Sequence, residues 1–213
     1  MPLPQVKICG ITRAVDGAAA LEAGASHLGF ILYEKSPRAI TLEQVGALMA
    51  ALPVPLEKPV AVDVNPDPER LARWATGGFA RYQLHFPHDL PRERIAQWAE
   101  IVGRENLWLA PKLPPGEAFP EDILEFSDFF LVDAFSEDAY GGTGETADWS
   151  RFAHRKIRWP DKNWILAGGL SPDNVAAALA ATEAERIDAN SGVETSPGIK
   201  DPDKIQAFFA ALV

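Results

Sequence analysis

Eight short runs of β-branched and aromatic residues alternate along this chain with segments of amphipathic, helical periodicity. Such runs predict buried strands, and the segments between them predict helices that cover a sheet. Regular alternation of this kind is typical of α/β proteins with a parallel sheet. The predicted strands are Val6–Ile11, His27–Leu32, Pro59–Val64, Arg81–His85, Leu107–Leu113, Phe129–Asp133, Trp164–Ala167 and Arg186–Ala189.

Capping signals indicate where several of the helices begin. Thr41 and Gln44 have the spacing of a capping box. Asp67, Ser171 and Asp201 each precede a proline that suits the first turn of a helix. A last helix, docked on the body of the protein, is predicted from the apolar stripe Ile205, Phe208, Phe209 and Leu212.

The number and spacing of these units favour a closed sheet. Eight units in 213 residues leave about 27 residues for each, near the lower size limit of such barrels. An open, doubly wound sheet is the alternative, but even spacing and a docked final helix favour closure. We therefore predict a (β/α)8 TIM barrel that occupies residues 1–213 as a single domain. Active sites of these barrels lie at the carboxyl ends of the strands, so the polar residues there are the candidates.

The charge balance restricts the partners of the chain. Its formal net charge is −10 and its isoelectric point is about 4.9, which argues against nucleic acid and against an acidic membrane surface. An anionic ligand would need a local cluster of donors. One cysteine, no pattern of a signal peptide and no apolar run of about 20 residues lead us to expect a cytoplasmic protein.

The first strand contains the only cysteine. Alternation places Val6 and Ile8 toward the helices and turns Lys7 and Cys9 into the barrel, with Cys9 near the active end. A lone cysteine is often a small buried hydrophobe. The nearby lysine weakens that interpretation, because a buried ammonium needs an anion and also favours the thiolate.

The sixth strand ends in a carboxylate, Asp133. This residue is either a cap for the segment that follows or a general acid or base at the barrel mouth. The loop after it contains the glycine-rich run 141–144, which we interpret as a lid or turn. A dinucleotide fingerprint is rejected there because the run does not lie in the tight first turn after a strand.

Two further glycine-rich loops follow the seventh and eighth strands. They contain Gly168 and Gly169, and Ser191 and Gly192. Barrels often bind phosphate with these two loops and a short helix N-terminus, where glycine lets backbone N–H groups approach the oxygens. Tight turns that require glycine are the alternative interpretation.

Several polar residues complete the candidate site. Arg38 is either a solvated loop residue or a bidentate clamp for a carboxylate. Gln83 and His85 share one face at the end of the fourth strand, and Asp188 lies on the eighth. His85 and His88 have no evident third ligand, so we predict no metal site.

These segments together resemble phosphoribosylanthranilate isomerase, an enzyme family of tryptophan biosynthesis. The likeness covers nearly the whole chain. The segments that carry it are Lys7-Ile8-Cys9-Gly10-Ile11-Thr12, Gly29-Phe30 with Lys35-Ser36-Pro37-Arg38, Gln83-Leu84-His85, Asp133 with Gly141-Gly142-Thr143-Gly144, Leu166-Ala167-Gly168-Gly169-Leu170, and Asp188 with Ser191-Gly192-Val193-Glu194.

The resemblance implies an aldose–ketose isomerase that performs an Amadori rearrangement of N-(5-phosphoribosyl)anthranilate. It implies Cys9 as general base, Asp133 as general acid, and Arg38 as the residue that binds the anthranilate carboxylate. Asp188 would contact the substrate, as would Lys7, Gln83 and His85, and the two glycine loops would bind its phosphate. We expect Arg38, Lys7 and oriented amides to reverse the local field of an acidic chain.

The family usually has glycine where this chain has Phe86, which either narrows the pocket mouth or fills a gap. The chemistry includes no net redox step, so no cofactor is expected. The expected partner is the phosphorylated anthranilate substrate, and the chain is a monomer or a homodimer. The alternatives are a phosphosugar-binding barrel without catalysis and a related phosphosugar epimerase or synthase.

Overall fold

A closed barrel of parallel strands forms the centre of the computed structural model, which describes residues 3–52, 55, 58–114, 116–133 and 148–213. Consecutive strands pair, and β1 also pairs with β8, which closes the barrel. The predicted barrel is confirmed, and the open sheet is wrong. The strands are β1 (Gln5–Ile8), β2 (His27–Ile31), β3 (Pro59–Val64), β4 (Arg81–Pro87), β5 (Leu107–Lys112), β6 (Phe129–Val132), β7 (Asn163–Leu166) and β8 (Arg186–Ala189).

Seven α-helices lie in the described part of the chain, and three of them begin where the capping signals predict. The Thr41–Gln44 capping box forms, and the carboxylates of Asp67 and Asp201 accept backbone N–H bonds at two other helix starts. The helices are α1 (Ala14–Glu22), α2 (Leu42–Ala51), α3 (Pro68–Ala75), α4 (Arg92–Val102), α5 (Trp149–Arg158), α6 (Val175–Thr182) and α7 (Pro202–Ala210).

Three local predictions from the sequence are wrong. Strand β1 ends at Ile8 rather than Ile11, because Gly10 has a φ of 74° that interrupts the extended backbone. Helix α6 begins at Val175 rather than beside Ser171, because Ser171 lies in a turn closed by the side chain of Asn174. Between β5 and β6 the described residues form only a single 3₁₀ turn, Glu121–Ile123. That connection is rich in proline and glycine, which are poor helix formers.

One element is absent from the sequence-based prediction. A small antiparallel hairpin, β9 (Glu194–Ser196) and β10 (Ile199–Lys200), is inserted between β8 and α7. The side chain of Thr12 donates to the carbonyl of Gly198 at its turn. The backbone N–H of Lys200 donates to Asp16 at 3.1 Å. The hairpin is therefore fixed against the segment that follows β1.

The side chains of the strands alternate between two apolar layers. Val6 and Ile8 belong to the larger layer between strands and helices. Cys9 belongs to a smaller cluster inside the barrel, together with Val62, Leu131 and other inward residues. This confirms the orientation predicted for the first strand and turns its polar residues toward the interior. No helix in the described part of the chain has the length and apolar character needed to cross a bilayer.

Candidate active site

A pocket opens at the carboxyl ends of the barrel strands, where active sites of this architecture lie. Every predicted site residue except Lys7 and Gly192 lines it: Cys9, Arg38, Gln83, His85, Asp133, Gly168, Gly169, Asp188 and Ser191. Asp133 directly follows β6 and is partly buried. Cys9, which directly follows β1, and Asp133, which directly follows β6, therefore line the same cavity. The predicted lid at residues 141–144 lies outside the described residues.

The Cys9 thiol lies in a buried polar environment. Cys9 is 4% exposed, and Lys7 is 2% exposed. Burial raises the pKa of the Cys9 thiol above its ordinary value, while the charge of Lys7 acts in the opposite direction. The neighbouring strand provides the space, because a Cβ on Gly29 would lie 2.8 Å from Lys7 Cε and 2.9 Å from Cys9 Sγ. Position 29 therefore requires glycine, because a larger residue would collide with the side chains of Lys7 and Cys9.

The Lys7 ammonium donates to Asp188 Oδ2 at 2.8 Å across the β1–β8 pair. Burial lowers the pKa of Lys7, but Asp188 and Cys9 outweigh this effect and the net pKa is raised. Lys7 is not among the residues that line the pocket. It acts on the pocket through Asp188 and Cys9.

The reactivity of Cys9 toward a small alkylating agent tests this environment, since it is the only cysteine of the chain. The thiolate is the reactive form, so the alkylation rate is expected to rise with pH. The midpoint of this rise is expected to lie above 9.0, the ordinary pKa of a cysteine thiol. Lys7→Met is expected to move that midpoint further upward. Lys35→Met removes an exposed lysine and is the control, with an unchanged midpoint. A midpoint below 9.0 in the native chain would contradict the expected effect of burial on the Cys9 thiol.

Two buried acceptor atoms in the pocket have no hydrogen-bond partner among the described residues. They are Gln83 Oε1 and Asp188 Oδ1. Gln83 Nε2 lies 2.9 Å from His85 Nε2, and burial together with Lys7 lowers the pKa of His85 to about 3. The ring is therefore neutral near pH 7, and its Nε2 accepts from the amide. Buried acceptors without partners are energetically unfavourable, so a ligand with hydroxyl or N–H donors would satisfy them.

Arg38 is buried at the edge of the pocket by an ionic network. Its Nε lies 3.0 Å from Glu194 Oε1, and its Nη2 lies 2.8 Å from Glu194 Oε2. Lys200 Nζ, on β10, donates to the same carboxylate at 2.8 Å. Burial raises the pKa of Glu194, but Arg38 and Lys200 outweigh this effect and the net pKa is lowered. Sequence reasoning gave Glu194 no role and did not identify Lys200.

The loops after β7 and β8 meet at the predicted phosphate site. Gly168 and Gly169 have φ values of 89° and 61°, in the left-handed region that favours glycine. Ser191 begins a 3₁₀ turn, Ser191–Val193. Gly192 does not line the pocket, but it packs against the Leu170 backbone so closely that a Cβ would lie 2.0 Å from the Leu170 oxygen. It holds the two loops together.

Phe86 does not narrow the pocket. It is 1% exposed and belongs to the layer between strands and helices. Its ring packs edge-on against Trp98 of α4, with ring centroids 5.6 Å apart. Of the two interpretations, gap filling is therefore correct.

The fold and this pocket define a barrel with a thiol, a carboxyl group and an arginine side chain around one cavity, which suits acid–base chemistry on an anionic small molecule. Comparison with known proteins narrows that class. The family model for N-(5'-phosphoribosyl)anthranilate (PRA) isomerase matches residues 6–211. The isomerase of Paracoccus denitrificans (strain Pd 1222) is 40% identical over 215 residues, which is 96% of this chain and 95% of the relative.

Solved structures give the same result. The phosphoribosylanthranilate isomerase of Thermotoga maritima is 32% identical, with a TM-score of 0.83 over 99% of this chain and 98% of that one. A second isomerase structure, in complex with reduced 1-(o-carboxyphenylamino)-1-deoxyribulose 5-phosphate, is 31% identical, with a TM-score of 0.80 over 99% of this chain and 98% of that one. The chain belongs to the N-(5'-phosphoribosyl)anthranilate isomerase family. The predicted family and its isomerase activity in tryptophan biosynthesis are confirmed.

Proposed function

We propose that this chain converts N-(5-phosphoribosyl)anthranilate to the isomeric aminoketose, with Asp133 as general acid and Cys9 as general base. The observation that carries the proposal is that these two side chains line one pocket at the carboxyl end of the barrel. A proton donor and a proton acceptor on opposite sides of a bound sugar are what this rearrangement needs.

The reaction divides into two proton transfers. Asp133 protonates the ring oxygen of the ribose as the C1–O bond breaks, and the anthranilate nitrogen forms a protonated Schiff base with C1. The Cys9 thiolate then removes the C2 proton, and the electron pair of that bond gives an enolamine. Loss of the enol proton and protonation of C1 give the ketone at C2. No atom or electron is gained or lost overall, so no cofactor is required.

The remaining pocket residues suit the groups of this substrate. Arg38 binds the anthranilate carboxylate, and the loops with Gly168, Gly169, Ser191 and Gly192 bind the phosphate. Hydroxyl groups of the opened ribose donate to Gln83 Oε1 and Asp188 Oδ1, the two acceptors without partners in the described residues. Lys7 acts indirectly, because it holds Asp188 and favours the Cys9 thiolate.

We assign the enzyme to the cytoplasm, because a catalytic thiol must stay reduced. Its assembly is a monomer or a homodimer, and a dimeric isomerase of this family is known from Thermotoga maritima. A 3-hexulose-6-phosphate synthase shares the fold at 14% identity, which says nothing about a shared reaction.

Turnover of the purified chain with phosphoribosylanthranilate tests the proposal. We expect the anomeric CH at C1 to become a CH2 group, and nuclear magnetic resonance detects this change. Growth of a tryptophan auxotroph that lacks this step is expected to be restored by the same chain. Binding of the substrate without conversion would contradict the proposal and support a binding barrel without catalysis.

A further inference from the structure

The carboxylate of Glu194 holds the Arg38 guanidinium but uses only part of its N–H groups. Arg38 is 7% exposed and lines the pocket. Glu194 accepts hydrogen bonds from Nε and Nη2 of Arg38. Nη1 of Arg38 has no hydrogen-bond partner among the described residues. The guanidinium is therefore oriented by Glu194 and keeps N–H groups for a second carboxylate.

Lys200 changes the charge of this arrangement. Its side chain is fully buried, and its ammonium donates to Glu194 Oε1 at 2.8 Å and to Asn190 Oδ1 at 2.8 Å. Glu194 also accepts from the backbone N–H of Gly198 at 3.1 Å. Burial lowers the pKa of Lys200, although Glu194 and Cys9 act in the opposite direction. With the Lys200 ammonium protonated and donating to Glu194, the cluster of Arg38, Glu194 and Lys200 contains two cations and one anion, with a net charge of +1.

That net charge decides whether a second carboxylate can enter. Arg38 and Glu194 alone would form a neutral pair, and a carboxylate added to it would leave a buried net negative charge, which is unfavourable. With Lys200 in place, the same carboxylate brings the cluster to neutrality. The sequence assigned the field reversal to Arg38, Lys7 and oriented amides, but Glu194 and Asp188 neutralise the charges of Arg38 and Lys7.

We propose that Lys200 is a positioning residue for substrate recognition: from the β9–β10 hairpin it holds Glu194 in place and supplies the buried positive charge that lets Arg38 bind the anthranilate carboxylate. Lys200 itself does not touch the substrate. Its neighbour Asn190 lines the pocket, and β10 is fixed at its backbone by Asp16. This inference rests on the proposed function, in which Arg38 binds that carboxylate.

The test compares two product analogues that differ only in the aromatic carboxylate: the reduced carboxyphenylamino deoxyribulose phosphate and its phenylamino counterpart. Lys200→Gln keeps hydrogen-bonding capacity and removes the charge. We expect it to weaken binding of the carboxylate analogue by about tenfold to a hundredfold, while binding of the phenylamino analogue changes by less than about twofold. KM is expected to rise more than kcat falls, and Lys200→Arg is expected to recover most of the affinity.

Two outcomes would overturn the inference. One is an equal loss of affinity for both analogues in Lys200→Gln, which indicates a merely structural role. The other is an unchanged affinity of Lys200→Gln for both analogues. Arg38→Met separates this inference from the proposed function. If Arg38→Met does not lose more affinity for the carboxylate analogue than for the phenylamino analogue, the assignment of Arg38 is wrong. If Arg38→Met shows this selective loss and Lys200→Gln does not, only the inference about Lys200 is wrong. Inorganic phosphate binding and thermal unfolding of each variant establish that it is folded.

Discussion

Replacement of Cys9 by alanine or serine, and of Asp133 by asparagine, is expected to lower kcat by about 10²- to 10⁴-fold in each case. Serine keeps the size of the side chain but is a far weaker acid than a thiol, so it supplies almost no base near neutral pH. Asparagine keeps the shape of Asp133 but has no proton of suitable acidity to give. Steady-state kinetics with phosphoribosylanthranilate measures both effects.

The sixth strand provides a matched control at its other end. Asp128 directly precedes β6, where Asp133 follows it, and its carboxylate pairs with Arg104 and Lys162 far from the pocket. Asp128→Asn is therefore expected to keep wild-type kcat. Affinity for the reduced product analogue in Asp133→Asn shows that the pocket is intact. If Cys9→Ser or Asp133→Asn retained more than about a tenth of wild-type kcat, the corresponding proton transfer would belong to another group.

The barrel and most of the pocket were predictable because both follow from local patterns. Apolar runs such as Phe129–Val132 reveal a buried strand, and in a parallel barrel the residue after each run reaches the same rim. Asp133 was found in this way, whereas Cys9 was found from the alternation along the first strand and Asp188 from its position on the eighth. Capping residues such as Thr41 and Asp67 fixed helix starts, since a cap acts within one turn.

What the sequence did not reveal depends on long-range contacts. Arg38 and Glu194 are separated by 156 positions, and no local pattern distinguishes Lys200 from an ordinary surface lysine. The β9–β10 hairpin is too short for a periodic signal. Phe86 was ambiguous for the same reason, because only the packing against Trp98 shows which layer it fills.

The second large effect is expected at Gly192, where the two predicted phosphate loops touch. A Cβ there would lie 2.0 Å from the Leu170 oxygen, 2.8 Å from its carbonyl carbon and 3.0 Å from Ser171 Cα. These are backbone atoms, so no side-chain rotation relieves the overlap. Gly192→Ala must push the loop after β8 away from the loop after β7. We expect a loss of unfolding free energy of about 1–3 kcal/mol or more and weaker binding of inorganic phosphate.

Gly46→Ala is the matched control for this substitution. Gly46 lies within α2, and apart from its chain neighbours and the backbone of its own helix nothing lies within 4 Å of an added Cβ. Alanine is therefore expected to stabilise the protein by about 0.5–1 kcal/mol. Denaturant unfolding measures both variants, and a phosphate titration measures the pocket. Equal stability and equal phosphate affinity in the two variants would mean that the loops tolerate separation. A loss of phosphate affinity only in Gly192→Ala would link that close contact to the geometry of the anion site.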